Sequence, residues 1–250
     1  MLQSALGVSP GIQSAVLRLD GKRRHEKYAY TGYLSLPDAD KANGAAVLVI
    51  MEIYGLNREV RRYTDSLAEQ GYVALAPDLL WEHGDHRVFD YVDRPNALAL
   101  VRSMGFETVA DDIASAHAAL VRLAGSPAKV GVVALGWGGK PALLARRDLP
   151  GCVQVLYYPG GLDGEDEWLL NSLGPTQFHL GELDDRTPPA FQKHLADIYR
   201  NVPNSEVQVY QGSGHGFANR DRKEYDAPAG ALADQRTLDY LAKQLLNVEA

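Results

Sequence analysis

Short apolar runs alternate with longer amphipathic segments along this chain, and the alternation predicts its architecture. Six strand-sized runs are rich in Val, Leu, Ile and Ala or alternate apolar with polar positions: residues 45–50, 72–76, 129–135, 153–157, 176–180 and 206–210. Between and after them, helical spacing of apolar positions covers residues 58–70, 108–123, 139–147, 189–199 and 229–246. This order predicts an α/β fold with a mostly parallel, doubly wound sheet and helices on both faces.

Two further strands are predicted near the N-terminus, at residues 15–19 and 28–36, where they would add an antiparallel edge. The chain contains no repeat, low-complexity tract or flexible linker, so we expect one domain over residues 1–250. In open parallel sheets, ligands bind beyond the carboxyl ends of the strands. Candidate functional residues are therefore expected directly after each strand.

Composition and charge narrow the class of partner. The chain has 250 residues, 46% hydrophobic and 23% charged, which is ordinary for a globular α/β domain. Its net charge is −7, and no Lys/Arg cluster is evident, which argues against nucleic acid and membrane surfaces as partners. Residues 45–50 form the longest apolar stretch, and residues 1–10 lack the features of a signal peptide. We expect a cytoplasmic protein that acts on a small molecule.

The sequence gives no sign of a metal or an organic cofactor. Cys152 is the only cysteine, which excludes an internal disulfide and a thiolate metal site. His83 and His86 have metal-like spacing but no evident third ligand. The glycine-rich residues 136–139 do not match a dinucleotide-binding fingerprint, because Pro141 stands where its third glycine would be.

Four strand ends carry residues that suggest catalysis. Glu52 follows the strand at 45–50, and Gly136 opens a glycine-rich turn after the strand at 129–135. Asp184 follows the strand at 176–180, and His215 follows the last strand. A turn, then an acid, then a histidine is the chain order of the catalytic triad in α/β-hydrolases.

Several stretches of the chain resemble the dienelactone hydrolases (carboxymethylenebutenolidases), a family with the α/β-hydrolase fold. The resemblance covers nearly the whole chain and rests on residues 51–57, 70–79, 138–139, 157–158, 181–188 and 215–219. It implies an α/β-hydrolase fold and hydrolysis of small esters or enol-lactones.

The resemblance also implies roles for particular residues. His215 matches the catalytic base, and Asp184 matches the acid that orients it. Glu52 matches a glutamate that modulates the nucleophile in the resting enzyme. The backbone N–H groups of Ile53 and Trp137 match the oxyanion hole.

The chain departs from the family pattern at the nucleophile. The family has a small residue, any residue, Cys, any residue and Gly, whereas residues 134–138 read Ala-Leu-Gly-Trp-Gly. Gly136 therefore stands at the nucleophile position. Glycine suits the strained turn there, but it offers neither sulfur nor oxygen, so no covalent acyl-enzyme can form on it.

The segment of residues 81–106 is expected to overhang the site. Tyr54 and Trp81 are candidate substrate contacts. By resemblance, arginines from this segment and from just after the histidine would bind a substrate carboxylate, which makes Arg220 a candidate and an anionic substrate conceivable. The sequence leaves the oligomeric state open.

Three functional interpretations follow. The first is an ester or lactone hydrolase whose nucleophile has been replaced by Gly136, by engineering or by natural loss. The second is a non-hydrolytic enzyme (an isomerase, lyase or cyclase) that uses the His215–Asp184 base and the oxyanion hole. The third is a non-catalytic binding protein. Cys152 and Ser213 are poor substitutes for the nucleophile, since Cys152 is expected at the amino end of a strand, within the core.

Overall fold

One mostly parallel sheet organises the chain. A computed structural model describes residues 11–23, 26–84, 86–149 and 151–247. Within these ranges, eight strands form a sheet in the order β1-β2-β4-β3-β5-β6-β7-β8. The strands are β1 Gln13–Arg23, β2 Glu26–Leu36, β3 Ala46–Ile50, β4 Val73–Pro77, β5 Val130–Leu135, β6 Gln154–Tyr157, β7 Thr176–Gly181 and β8 Glu206–Tyr210.

The strand directions agree with the predicted fold class. Strand β2 pairs antiparallel with both β1 and β4, whereas the pairs β4–β3, β3–β5, β5–β6, β6–β7 and β7–β8 are all parallel. Both strands of the N-terminal pair are longer than predicted. Of these two, only β1 lies at the edge of the sheet, because β2 is also hydrogen-bonded to β4. An α/β-hydrolase fold, with helices on both sides of a mostly parallel sheet, is confirmed.

Seven α-helices accompany the strands within the described ranges: α1 Arg58–Glu69, α2 Arg94–Ser103, α3 Phe106–Ala124, α4 Gly139–Ala145, α5 Asp166–Asn171, α6 Pro189–Tyr199 and α7 Ala227–Leu246. Helices α3 and α4 pack together against one face of the sheet. On the other face, Tyr157 of β6 meets Tyr63 of α1 and Thr237 of α7 through its hydroxyl. Helices α2 and α5 were not predicted. Helix α2 lies in a segment without a regular apolar pattern, and α5 has only six residues.

The centre of the sheet is fully apolar. Every residue of β3 and β5 is buried, which explains why these strands read as continuous apolar runs. No helix in the described part of the chain is long and apolar enough to cross a membrane. Residues 1–10, which bear on the predicted lack of a targeting segment, lie outside the described residues.

Two histidines are buried in this framework away from the strand ends. His179 of β7 contacts the hydroxyl of Tyr210 through Nδ1, at 2.8 Å, and Thr237 Oγ1 through Nε2, at 3.0 Å. Burial lowers the pKa of His179 to about 3 and that of His117, in α3, to about 4. Both are therefore neutral in the folded protein at neutral pH.

We expect these histidines to make the fold sensitive to acid. Below pH 6.5 these histidines become protonated in the unfolded chain but stay neutral in the folded chain. The free energy of unfolding therefore falls between about pH 6.5 and pH 4. Each histidine should lower the free energy of unfolding by about 2 kcal/mol when the pH falls from 7 to 5. Urea unfolding at the two pH values measures the loss, which His117→Gln should reduce and the exposed control His194→Gln should not. An equal loss in both variants would contradict the assignment.

Candidate active site

The turn after β5 lies against the end of β3. Gly136 to Gly138 form a short 3₁₀ turn that leads into α4, and Gly136 has a φ of +52°, in the left-handed region. A Cβ on Gly138 would lie 2.6 Å from the carbonyl oxygen of Met51, so only glycine fits there. A Cβ on Gly136 would instead lie 3.5 Å from Glu52 Cγ, an ordinary contact. The turn is thus tight at Gly138 but has room for a side chain at Gly136.

The structure brings Asp184 and His215 together. Asp184 follows β7 and His215 follows β8, and His215 Nδ1 lies 2.8 Å from Asp184 Oδ2. The side chain of Asp184 is fully buried and that of His215 is 13% exposed. Because Nδ1 is engaged by the carboxylate, Nε2 is the nitrogen left for chemistry.

Hydrogen bonds between the two loops hold this pair in place. The N–H of Leu183 donates to the carbonyl oxygen of Ser213 at 2.9 Å, which ties the Asp184 loop to the His215 loop. The hydroxyl of Ser213 donates to Asp226 at 2.8 Å. Ser213 is therefore a structural link, consistent with its weak candidacy as a nucleophile.

The electrostatics keep Asp184 ionised. Burial alone would raise the pKa of Asp184, but the hydrogen bond and charge of His215 and the backbone N–H of Arg186 together hold it below its usual range. That N–H donates to Asp184 Oδ1 at 2.9 Å. As an anion, Asp184 accepts the Nδ1–H of the histidine and fixes its tautomer.

Glu52 is a buried carboxylate beside this pair. It follows β3 and is only 4% exposed. Its Oε2 accepts a hydrogen bond from Asn219 at 3.3 Å and lies 4.0 Å from a guanidinium nitrogen of Arg222. Its Oε1 is buried and has no hydrogen-bond partner among the described residues. A buried carboxylate oxygen left unpaired is costly, which points to a functional reason for its position.

A cavity of about 600 Å³ opens over these residues. Six of the sequence candidates line it: Glu52, Ile53, Tyr54, Gly136, Trp137 and His215. Asp184 lies behind His215 and does not line the cavity itself. Residues of the segment 81–106 also line it, four from α2 and Phe106 from the start of α3, so the expected overhang is supplied mainly by α2.

Two sequence candidates for substrate binding lie elsewhere. Trp81 stacks on Tyr28, with ring centroids 4.9 Å apart, and its indole N–H donates to Asp112 at 3.0 Å. These contacts fix its ring away from the cavity. The guanidinium of Arg220 lies 3.6 Å from Asp234 and lines a separate surface depression. Neither residue is among those that line the cavity.

Four arginines line the cavity, Arg94, Arg102, Arg186 and Arg222, and none of them was predicted by number as a substrate contact. Arg222 is two residues past Arg220, and the turn formed when its N–H donates to Asn219 directs it inward. Arg94 is on the unpredicted helix α2, and Arg186 follows Asp184 by two residues. The sequence signal pointed to two regions, the segment 81–106 and the residues just after His215, and Arg186 lies in neither of them.

Cys152 is confirmed as a core residue. It is 4% exposed, its Sγ contacts the carbonyl oxygens of Val130 and Val153, and burial raises the pKa of its thiol to about 12. It lies beside the first residue of β5, whereas Gly136 follows the last. Within the described ranges, no three His, Cys, Asp or Glu side chains are grouped closely enough to hold a metal ion.

Known proteins with similar sequences include curated carboxymethylenebutenolidases. The sequence model of the dienelactone hydrolase family matches residues 30–245. The carboxymethylenebutenolidase of Pseudomonas putida is 30% identical over 205 residues, covering 81% of this chain and 87% of that protein. Carboxymethylenebutenolidase 1 of Cupriavidus pinatubonensis is 29% identical over 217 residues, covering 85% and 91%.

Solved structures share the fold. A dienelactone hydrolase-like promiscuous phosphotriesterase from metagenomic libraries superposes with a TM-score of 0.73 at 20% identity, covering 92% of this chain and 98% of that one. Since the family's sequence model spans most of the residues, this chain belongs to the dienelactone hydrolase family.

Proposed function

We propose that this protein hydrolyses small esters or lactones by general acid–base catalysis, without a nucleophilic side chain. The observation that carries the proposal is the hydrogen-bonded His215–Asp184 pair at a cavity whose strand-to-helix turn is centred on Gly136. By its place in the family pattern, Gly136 takes the position of the catalytic cysteine. With no thiol or hydroxyl there, the attacking group has to be water.

In the proposed reaction, His215 Nε2 removes a proton from a water molecule. The water oxygen bonds to the carbonyl carbon, and the carbonyl electron pair moves onto its oxygen. Collapse of this intermediate breaks the bond to the leaving oxygen, which takes the proton from His215. Asp184 stabilises the imidazolium that forms between these two proton transfers.

The negative charge on the carbonyl oxygen needs donors that are already in place. We assign this role to the N–H groups of Ile53 and Trp137, which both line the cavity. Trp137 lies in the first turn of the helical segment that begins at Gly136. Amides in a first turn have no acceptor within their own helix, so its N–H is available to a ligand.

Glu52 and Tyr54 complete the proposed site. The unpartnered Oε1 of Glu52 can accept a hydrogen bond from the attacking water, since the carboxylate lies next to Gly136. Burial raises the pKa of Tyr54, so its hydroxyl stays protonated and can donate a hydrogen bond to the substrate. The nearby Arg94, Arg186 and Arg222 favour a substrate with a negative charge.

A second candidate function uses the same groups without hydrolysis. A base, an oxyanion hole and no nucleophile are sufficient to move a proton on an enolisable substrate, as an isomerase, lyase or cyclase does. Gly136 favours this alternative to the same degree as water-mediated hydrolysis. The two differ in whether a carbon–hydrogen bond or a carbonyl–oxygen bond is broken.

Turnover by the unmodified protein distinguishes the two. We expect saturable hydrolysis of p-nitrophenyl acetate and of a small enol-lactone, with no burst of product at the first turnover. In D₂O, an enolisable keto acid should keep its α-protons. Exchange of those protons without hydrolysis would support the second function instead. Neither activity in the folded protein would contradict both and favour a binding protein.

A further inference from the structure

A line of side-chain hydrogen bonds ends at Glu52. The amide nitrogen of Asn57 donates to the hydroxyl oxygen of Tyr91 at 3.0 Å. The amide nitrogen of Asn219 donates to the same oxygen at 3.0 Å and to Glu52 Oε2 at 3.3 Å. Asn57 caps the N-terminus of α1, Tyr91 lies in the 3₁₀ turn before α2, and Asn219 lies in the loop after β8. Three separate parts of the fold therefore converge on one carboxylate.

Backbone hydrogen bonds fix the orientation of both amides. Asn219 Oδ1 accepts the N–H of Asp221 at 3.0 Å, so the amide nitrogen of Asn219 faces Glu52. Asn57 Oδ1 accepts an N–H in the first turn of α1 at 3.1 Å, so its nitrogen faces Tyr91. Glu52 therefore meets a hydrogen-bond donor whose direction is set by the backbone.

Tyr91 supports the Asn219 amide without adding charge. Burial, together with the negative charge of Glu52, raises the pKa of Tyr91 to about 12, so its hydroxyl is protonated at neutral pH. This hydroxyl donates to Asn219 Oδ1 at 3.3 Å, and its oxygen accepts from the amide nitrogens. The ring packs edge-on against Tyr54, with centroids 4.7 Å apart. A neutral group thus holds the donor that faces the Glu52 anion.

This donor determines where the second oxygen of Glu52 points. Rotation about the last side-chain bond of a glutamate is soft, so a carboxylate keeps one orientation only when a partner holds it. With Oε2 held by Asn219, Oε1 has no hydrogen-bond partner among the described residues. A Cβ at Gly136 would lie 3.9 Å from Glu52 Cδ, so the carboxylate borders the space over that turn.

We propose that Asn219 and Tyr91 are positioning residues, which hold Glu52 Oε2 so that Oε1 faces the attacking water over Gly136. Neither residue is among those that line the cavity, so they act through Glu52 and not on the substrate. This inference rests on the proposed function, because it takes Glu52 as an acceptor for that water. Loss of either residue should therefore lower kcat and leave KM unchanged.

Tyr91→Phe tests the inference by ester turnover. The variant keeps the ring beside Tyr54 and loses only the hydroxyl, so kcat for p-nitrophenyl acetate should fall about 5-fold while KM stays within about twofold. The matched control is Tyr33→Phe, because the Tyr33 hydroxyl donates to the carboxylate of Asp65 at 3.0 Å and Tyr33 does not line the cavity. No fall in kcat, an equal fall in both variants or a rise in KM alone would overturn the inference.

Asn219→Asp should give a pH dependence that a merely structural residue would not. At pH 6 two adjoining carboxyl groups retain a proton between them, and a protonated carboxyl can donate to Glu52 as the amide does. At pH 8 both are ionised and repel each other. The rate of Asn219→Asp relative to the unmodified protein should therefore fall about 10-fold from pH 6 to pH 8, whereas that of Asn219→Ala should be low and constant. A constant ratio for Asn219→Asp would overturn the role of Asn219.

The titratable groups that face Glu52 from other parts of the fold keep their charge over this range. Burial raises the pKa of the Tyr54 and Tyr158 phenols, and the charge of Glu52 outweighs burial to raise the pKa of the Arg222 guanidinium. His215 is common to the variants and the unmodified protein, so the ratio of their rates removes its contribution.

A reaction that needs no ester turnover separates this inference from the proposed function. In a Cys152→Ser background, the thiol introduced by Gly136→Cys would border Glu52, so the pH profile of its alkylation by iodoacetamide depends on where that carboxylate lies. Adding Tyr91→Phe should move the midpoint of this profile by at least about 0.3, and adding Tyr33→Phe should not. An unmoved midpoint would overturn the inference. A midpoint that moves as expected, in a protein that hydrolyses no ester, would contradict the proposed function and support the positioning role.

Discussion

The Gly136→Cys variant is expected to hydrolyse p-nitrophenyl acetate at least about 100-fold faster than the unmodified protein. A thiol at this position would be activated by His215 and would form an acyl-enzyme, which replaces one difficult step by two easier ones. Removing members of a catalytic triad typically leaves only the residual catalysis that the oxyanion hole and binding provide. Introducing a thiol at residue 136 should recover part of that difference.

The local structure permits this substitution. A Cβ at position 136 would meet Glu52 Cγ at 3.5 Å and no closer atom outside the neighbouring residues. Residue 136 has a positive φ, at which a residue with a side chain is strained. The substitution should therefore lower the free energy of unfolding by about 1 kcal/mol. Urea unfolding checks that the variant is folded before its rate is compared.

Gly136→Ala is the matched control, because it carries the same strain without the thiol. It should hydrolyse the ester no faster than the unmodified protein. A Cys152→Ser background removes the native thiol, which is buried and has a raised pKa. A folded Gly136→Cys variant that is as slow as Gly136→Ala would show that this turn is not the nucleophile position.

Replacing either member of the His215–Asp184 pair should lower the rate of ester hydrolysis. His215→Ala is expected to lower ester turnover by about 100- to 10,000-fold, since the proton acceptor is lost. Asp184→Asn should lower it by a similar amount, because an amide does not hold the histidine in the required tautomer. Steady-state rates of the folded variants measure both losses. The neighbouring Asp185→Asn is the control, because Asp185 is exposed and makes no hydrogen bond to His215.

The pH dependence of stability gives Asp184 a second signature. Its pKa is lowered in the folded protein, so its ionisation stabilises the fold above the ordinary pKa of Asp, near 4. That contribution is lost as the pH falls through the lowered value. Asp184→Asn should therefore be less stable at pH 7, and its free energy of unfolding should depend less on pH below about pH 4.

Full activity in Asp184→Asn together with a loss of activity in Asp185→Asn would reverse the assignment of the catalytic acid.

The candidate site was predictable from the sequence wherever a residue follows a parallel strand. Glu52, Gly136, Asp184 and His215 all stand at carboxyl ends, and parallel pairing of β3 to β8 brings those ends to one edge. Strands β3 and β5 were predictable because buried parallel strands are continuous apolar runs, and β8 was predictable because its polar and apolar positions alternate. Position along the chain was therefore sufficient to bring these four residues together.

The ligand-binding residues were not predictable in the same way. Whether Arg220 or Arg222 points into the cavity depends on the backbone of one turn, which sequence periodicity does not encode. Trp81 was expected at the site, but its stacking on Tyr28 depends on how β2 approaches the loop after β4. The cationic Arg94 depends on α2, a helix without a clear apolar pattern of its own.

The mass of the intact protein during ester turnover tests the central claim most directly. We predict that the Gly136→Cys variant, quenched in acid during hydrolysis of p-nitrophenyl acetate, gains one acetyl group at residue 136. The unmodified protein should gain none while it still turns over the ester. An acetyl group on the unmodified protein, on any residue that lines the cavity and at a rate matching turnover, would contradict the claim that this site works without a nucleophilic side chain.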